Sequence, residues 1–584
     1  MPGSAPSSTN SDSVAPGDYS IPSEAKKLLW DGILNNPLHA SLPEEVKDAA
    51  KVVEYIGSKA PAFHINWRFA ESISALKGFQ AAMLNVLLKK KYGVDYQKVV
   101  INSDHAQLFI FSAMLPVIDP EGANVAPGFT KEYERYFPNT NLHRHYIQSP
   151  CMNIYKTKDN RFYHIHAQTT TGSVNYAIGA GILGLTEKEE FAPWEEGRNA
   201  YQAKVAEWNA QDLDVEWNDK NRQAGTICLT KEEYFASEHG KANAHVGLYE
   251  IHHFSNPKQL ASWWTSPPPS NPDPGPTRPL FGLKVIDLTR MIASPTICRE
   301  LAEMGASVLR ITSPNITDLH NINLDVNWGK WNAHLDLTKE EDRATLRKLI
   351  EESHVVVDGY RPGVMQKFGF GKDDVLGFFK DKERGIIYAR ENCYGWNGPL
   401  AHRSGWQQIS DAHCGTSYEF GRAMGVDEPV TPIWPNCDYC TGVAGATAVL
   451  EALIKQSQVG GSYVLDIALN YYSQWLIKSC GTYPKQVWEE VWNRFGRPVY
   501  RHWDSMGVTI PQYITALKNA NSPILSPDFF EDRPNKAIGA PVRTIKPILN
   551  FPDGLVQLKY NVGSRGNGVD KPKWPEDLLT EVVV

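Results

Sequence analysis

Cysteine is scarce, with eight among 584 residues. That density cannot staple so long a chain, so a disulfide framework is excluded and a reducing, cytoplasmic setting is expected. Positive charge is not in excess: 59 Lys and Arg stand against 66 Asp and Glu, a net charge of −7. A general nucleic-acid or membrane-surface binder needs a basic face, so neither partner is expected. A run of about 18 uncharged apolar residues is also lacking, and with it the expectation of a membrane-spanning helix. The first twenty residues have no basic start, no apolar core and no Arg, and the last four are Glu-Val-Val-Val. Secretory, mitochondrial and peroxisomal addresses are therefore not expected. A P-loop, a G-x-G-x-x-G after a strand, a G-x-S-x-G and an H-E-x-x-H are all missing. The common NTPase, dinucleotide, serine-hydrolase and zincin chemistries go with them.

The composition that remains is that of a folded protein, 42% hydrophobic and 21% charged. Residues 1–20 are rich in Ser, Pro and Gly and read as a disordered tail. Residues 266–279 hold so many prolines that they read as a stiff connector. The chain then divides into a first half at 21–265, a central α/β domain at 280–480, and a segment at 481–584 of helices and a return to the large domain.

Short apolar runs after the connector read as strands at 283–288, 307–311, 354–358, 385–389 and 463–467. Helical spacing at 295–304, 338–352 and 442–455 alternates with them, and Thr338 with Glu341 forms a capping-box pattern. The expected fold is α/β, a Rossmann-like parallel sheet with a smaller α+β domain. Such sheets take ligands beyond the carboxyl ends of their strands. A repeat also shows: residues 73–91 and 440–455 share one helical texture, each followed by a strand (98–102 and 463–467). The offset sets Glu71 opposite Asp438.

Each candidate for chemistry has a plainer alternative. Asp438, in Trp434-Pro-Asn-Cys-Asp-Tyr-Cys-Thr-Gly442, stands where an N-cap is expected. The same helix start would keep a carboxylate ionised and aimed at a thioester carbonyl. Cys437 and Cys440 form a lone C-x-x-C, too little for a four-ligand zinc site, and read as packing. His143, His145, His164, His166, His252 and His253 fall in pairs that a metal would suit, but nothing in the spacing completes a site. Arg361 and Lys367, in Tyr360-Arg-Pro-Gly-Val-Met-Gln-Lys-Phe-Gly369, lie past the third strand, where they serve as phosphate contacts or as a solvated loop.

Several signatures occur in order: Pro279-Leu-Phe-Gly-Leu-Lys-Val-Ile-Asp-Leu-Thr-Arg290, Ala293-Ser-Pro295, Leu301-Ala-Glu-Met-Gly-Ala-Ser-Val-Leu-Arg-Ile311, Asn332-Ala-His-Leu-Asp-Leu-Thr338, Asp358-Gly-Tyr-Arg-Pro-Gly363, Tyr394-Gly-Trp-Asn-Gly-Pro399 and Asp438-Tyr-Cys-Thr-Gly442. Together they resemble the class III CoA-transferase (CaiB/BaiF) family, best over 279–476. The first half resembles the later part of the same family through its helix and Asn153–Ile165, and Ile538–Ile545 resembles the family's C-terminal region. The resemblance implies two fused, unequal copies, a pseudo-dimer within one chain, and leaves a homodimer open. It implies acyl-CoA and a small carboxylic acid as substrates, coenzyme A as the carried group, and no metal.

By the same resemblance Asp438 attacks the acyl-CoA and later carries CoA as a thioester. Met291, Ile292, Ala293, Tyr360, Arg361 and, further off, Lys367 would contact CoA. Family racemases place a His before the Asp, where this chain has Cys437. Glu71, without the Thr-Gly that follows Asp438, marks a silent first copy. Proton chemistry at an acyl α-carbon (racemisation or dehydration) and a non-catalytic CoA-binding role remain the alternatives.

Overall fold

The computed structural model describes residues 18–128, 130–138, 148–167, 175–186, 194–264, 273–316 and 318–579. Nearly all of the expected tail, the first half of the proline-rich connector, His143 and His145 lie outside these residues.

The first half is built on helix α1 (Phe69–Tyr92), 24 residues buried on almost every side. Gly93 ends it in the left-handed conformation at φ +69°, which a residue without Cβ adopts freely. Val53–Ile56 and Val99–Asn102 form a parallel pair beside it. Met152–Lys156, Phe162–His166 and Ala224–Ile227 form a separate antiparallel sheet.

The large sheet has seven strands: β1 (Glu250–Phe254), β2 (Lys284–Leu288), β3 (Ser307–Thr312), β4 (Lys330–His334), β5 (Val355–Asp358), β6 (Ile387–Asn392) and β7 (Ser462–Ala468). Their order is β4-β3-β2-β5-β6-β7-β1, with β2 to β7 parallel and β1 antiparallel at the edge. Burial on both faces explains why β2, β3 and β5 read as unbroken apolar runs. Buried charges among them are paired. Asp287 of β2 and Lys330 of β4, both fully buried, meet at 2.8 Å, and Arg310 of β3 bonds Asp318 at 2.7 Å. Residues near the C-terminus return to this sheet, where the Asp570 amide donates to the Asn332 carbonyl.

Three differences from the sequence reading are physical. β4 was not anticipated as a strand, because its Lys-Trp-Asn-Ala-His lacks an apolar run. β1 comes from the segment before the connector, so the sheet draws on both sides of it. Thr338 caps no helix: its hydroxyl donates to Asp336 Oδ1 at 2.7 Å, and the helix begins at Glu340 with Lys339 at the cap position.

Helix α2 (Ala293–Glu303) follows β2, and helix α3 (Asn436–Val459) precedes β7. α3 packs against both α1 and α2. On length and composition α3 is apolar enough to cross a membrane, yet nearly all of it is buried inside the protein, the position of a core helix. Its small residues set the approach: a Cβ on Gly442 would lie 2.4 Å from Thr296 Cβ and 2.8 Å from the Ala293 carbonyl oxygen. Gly442→Ala is expected to destabilise the protein by about 1–3 kcal/mol, as overpacking does. A chemical-denaturation midpoint equal to that of the parent protein would contradict this.

Candidate active site

A cavity of about 260 Å³ opens at the carboxyl ends of the parallel strands. The loop after β2 supplies Arg290, Met291 and Ile292, the start of α2 supplies Ala293, and the loop after β5 supplies Tyr360 and Arg361. Met291 holds φ at +73°, a strained conformation for a side chain of this kind and one that clusters at functional sites. β6 contributes Glu391 and Asn392, and α3 contributes Asp438. Six of the seven residues expected from the sequence therefore meet at one place. Lys367 does not. It is exposed on the single helical turn Val364–Lys367 beyond Gly363, with its ammonium 5.8 Å from the Phe368 ring centre.

The first half reaches the cavity too. His166 lines it from the end of the middle strand of the small antiparallel sheet, its ring stacked on Trp406 at 5.3 Å. Burial holds the His166 imidazole well below its ordinary pKa, so it is neutral. The loop that carries Trp406 is fastened to the first half by Arg403, which bonds Asp214 at 2.7 Å and Asp219 at 2.9 Å. The His-x-His spacing had put His164 and His166 on one strand face; nothing in the sequence tied that face to the cavity.

Asp438 lies in the first turn of α3, two residues past its start, so it is not the N-cap; Pro435 holds that position. Among the described residues no donor is bonded to its carboxyl. The sequence reading had the helix terminus keeping it ionised. Instead burial, Glu391 and then Asp411 hold its pKa well above the usual carboxylate range. The dipole's effect is about 1 kcal/mol or less at an ordinary helix start, and two nearby carboxyls with burial outweigh it. Glu391 is pushed up to about 7 by burial, against a hydrogen bond from Ser294 Oγ at 2.9 Å. Asp411 is pushed up to about 8, also by burial, although Gln407 donates to it.

Cys437 turns away from the cavity: its Sγ donates to the Leu469 carbonyl at 3.4 Å, and burial raises its thiol. It offers no second base beside Asp438. Cys440 packs against Asn436 Oδ1 at 3.5 Å. Glu71, the counterpart of Asp438, is fully buried; Tyr19 and Tyr483 donate to it, the latter at 3.1 Å, and Arg68 lies 3.8 Å away. Glu250, His252 and Asp466 come close enough to share a cation, but Arg390 already bonds both oxygens of Asp466, at 2.5 and 2.9 Å.

The sequence profile of CoA-transferase family III matches residues 280–491, from just ahead of β2 into the helix Lys485–Arg494. The chain is 48% identical over 572 residues to the acetyl-coenzyme A transferase nodX of Hypoxylon pulicicidum, covering 97% of this chain and 95% of that protein. It is 27% identical over 416 residues to an acyl-CoA transferase of Gibberella moniliformis, covering 70% and 71%. Among solved structures it is similar to a CaiB/BaiF family protein from Brucella suis, at 25% identity over 35% of this chain and 56% of that one, with a TM-score of 0.30. With a near full-length relative at this identity and the family profile lying over the sheet that carries the cavity, the chain belongs to CoA-transferase family III.

Proposed function

We propose that the protein transfers coenzyme A from an acyl-CoA to a carboxylic acid, with Asp438 as covalent nucleophile. The observation that carries this is the Asp438 carboxyl facing a cavity whose walls include the loops after β2 and β5. In the proposed reaction the Asp438 carboxylate attacks the thioester carbonyl, and the C–S bond breaks to give an acyl-aspartyl anhydride and CoA thiolate. The thiolate then attacks the Asp438 carbonyl and releases the first carboxylate. The second acid takes CoA by the same two steps reversed.

Met291, Ile292, Ala293, Tyr360 and Arg361 are the CoA contacts in this reading, the arginine being suited to phosphate. Acetyl-CoA is the first donor to test, because the nearly full-length relative is called an acetyl-coenzyme A transferase. The reading extends to the fold: α1 and α3 are each 24 residues long, begin 367 positions apart, end at a glycine of positive φ and pack together, which supports two copies within one chain around a Rossmann-like sheet. The burial of Glu71 supports one working site per chain.

Incubation with acetyl-CoA followed by hydroxylamine is expected to convert Asp438 to its hydroxamate, read by peptide mass spectrometry. An unlabelled Asp438 in a sample that still transfers CoA would rule out the nucleophile. Deuterium uptake at the acyl α-carbon in heavy water, with no second acid present, would select α-proton chemistry instead.

A further inference from the structure

Arg390 and Glu391 are neighbours on β6, and a strand sends successive side chains to opposite faces. Arg390 goes to one face, where it bonds Asp466 and lies over Trp396 at 3.7 Å. Glu391 goes to the other face and lines the cavity with Asp438. Its Oε2 accepts from Ser294 on α2, while Oε1 has no donor among the described residues and is not sealed from the cavity.

The groups around the two carboxyls are mostly anionic or neutral. Asp358 at the end of β5 acts on Glu391, Asp411 acts on Asp438, and the buried Cys393 and Cys437 thiols are neutral. Of the arginines lining the cavity, Arg403 bonds Asp214 and Asp219 and Arg290 lies 3.8 Å from Asp318, while Arg361 feels the charge of Arg222 and not that of either carboxyl. His166 is neutral. Two carboxyls therefore share one cavity, with no cation among the described residues acting on either, and together they hold one proton more readily than none.

Building on the proposed aspartyl intermediate, we propose that Glu391 is the resting place of the Asp438 proton during turnover. In the resting site Asp438 is protonated and Glu391 is ionised. As Asp438 attacks, its proton passes to Glu391; the Asp438 oxygen bonds to the acyl carbon, and the C–S electron pair leaves on sulfur. The products are the anhydride, a neutral Glu391 and CoA thiolate. When thiolate next attacks the Asp438 carbonyl, the charge moves to the departing carboxylate and Glu391 stays neutral. At the end of the cycle Asp438 is released as a carboxylate and takes its proton back. Counting the two carboxyls and the reacting sulfur or oxygen, the cavity carries one negative charge at every stage. A buried site without a paired cation favours that over two.

Glu391→Gln keeps the shape and a partner for Ser294 but cannot take a proton. Single-turnover acylation of Asp438 from acetyl-CoA, stopped with hydroxylamine across pH, is the test. The parent enzyme is expected to slow as pH falls below about 7, where Glu391 is filled. In Glu391→Gln the step is expected to fall roughly 100-fold at neutral pH and lose that limb, with Asp438 still the labelled residue. Ser294→Ala removes a donor to the ionised form, so its limb is expected to move to higher pH. A Glu391→Gln enzyme as fast as the parent, or faster, would overturn the proposal, since a merely repulsive neighbour speeds attack when removed. An unmoved limb in Ser294→Ala would also count against it. Missing label in the parent enzyme would instead remove the aspartyl intermediate, and this proton role with it.

Discussion

Asp438→Asn is expected to reduce CoA transfer by on the order of 10⁴-fold or more, about 5.5 kcal/mol in the barrier. The amide has almost the same shape as the carboxyl but cannot form the anhydride, so the covalent route closes. The same change removes a carboxyl that burial, Glu391 and Asp411 all disfavour in its charged form. Folding stability is therefore expected to stay level or rise. Steady-state transfer between acetyl-CoA and a panel of carboxylates, with thermal unfolding on the same samples, checks both halves. Lost activity with collapsed stability would mean that Asp438 holds the fold rather than the reaction.

Lys77→Met is expected to cost about 3–5 kcal/mol of stability, the cost of leaving a buried charge without its partner. Lys77 sits on α1 with no exposure, paired with Glu300 of α2; it also bonds Gln80 Oε1 at 3.3 Å and lies over the Phe109 ring at 4.1 Å. One turn on, Glu303 is already held above the usual carboxylate range by burial and by Glu300, and Lys77 is the cation that opposes this most. Without Lys77, the α1–α2 seam keeps two carboxyls and no lysine. The folded pKa of Glu303 would then rise further above its unfolded one. The deficit would be full above that folded value and would shrink as pH falls towards the unfolded carboxylate range. Urea unfolding at two pH values measures this, and Lys77→Met with Glu300→Gln should recover much of the loss. A deficit below about 1 kcal/mol in the single variant would show that nearby Arg299 suffices for the seam.

The architecture was legible where local pattern and environment agree. Val355-Val-Val-Asp358 and Lys284-Val-Ile-Asp-Leu288 are buried on both faces, and their composition says so before any contact is known. Asp438 was legible as a position, because its ordered signature marks a helix start. Its protonation was not, because that depends on Glu391 and Asp411, which lie 47 and 27 residues earlier in the chain. Glu391 escaped notice because Arg390-Glu391-Asn392 reads as the polar end of a strand. Pairing with β7 as far as Asn392 opposite Ala468 extends β6 by those three residues. His166 needed a packing between halves that no spacing encodes. Thr338 carried the right letters for a cap, but Asp336 offered its hydroxyl a nearer partner.

β1 lies on one side of the proline-rich stretch and the strand it covers, β7, on the other. Separating the two pieces at that stretch would leave β7 paired with β6 alone, its other edge a row of unpaired amides and carbonyls, an invitation to pair with a stranger. The conspicuous punctuation in the sequence is thus a bridge between interdependent pieces. Neither piece could be inherited, exchanged or expressed alone as a finished body.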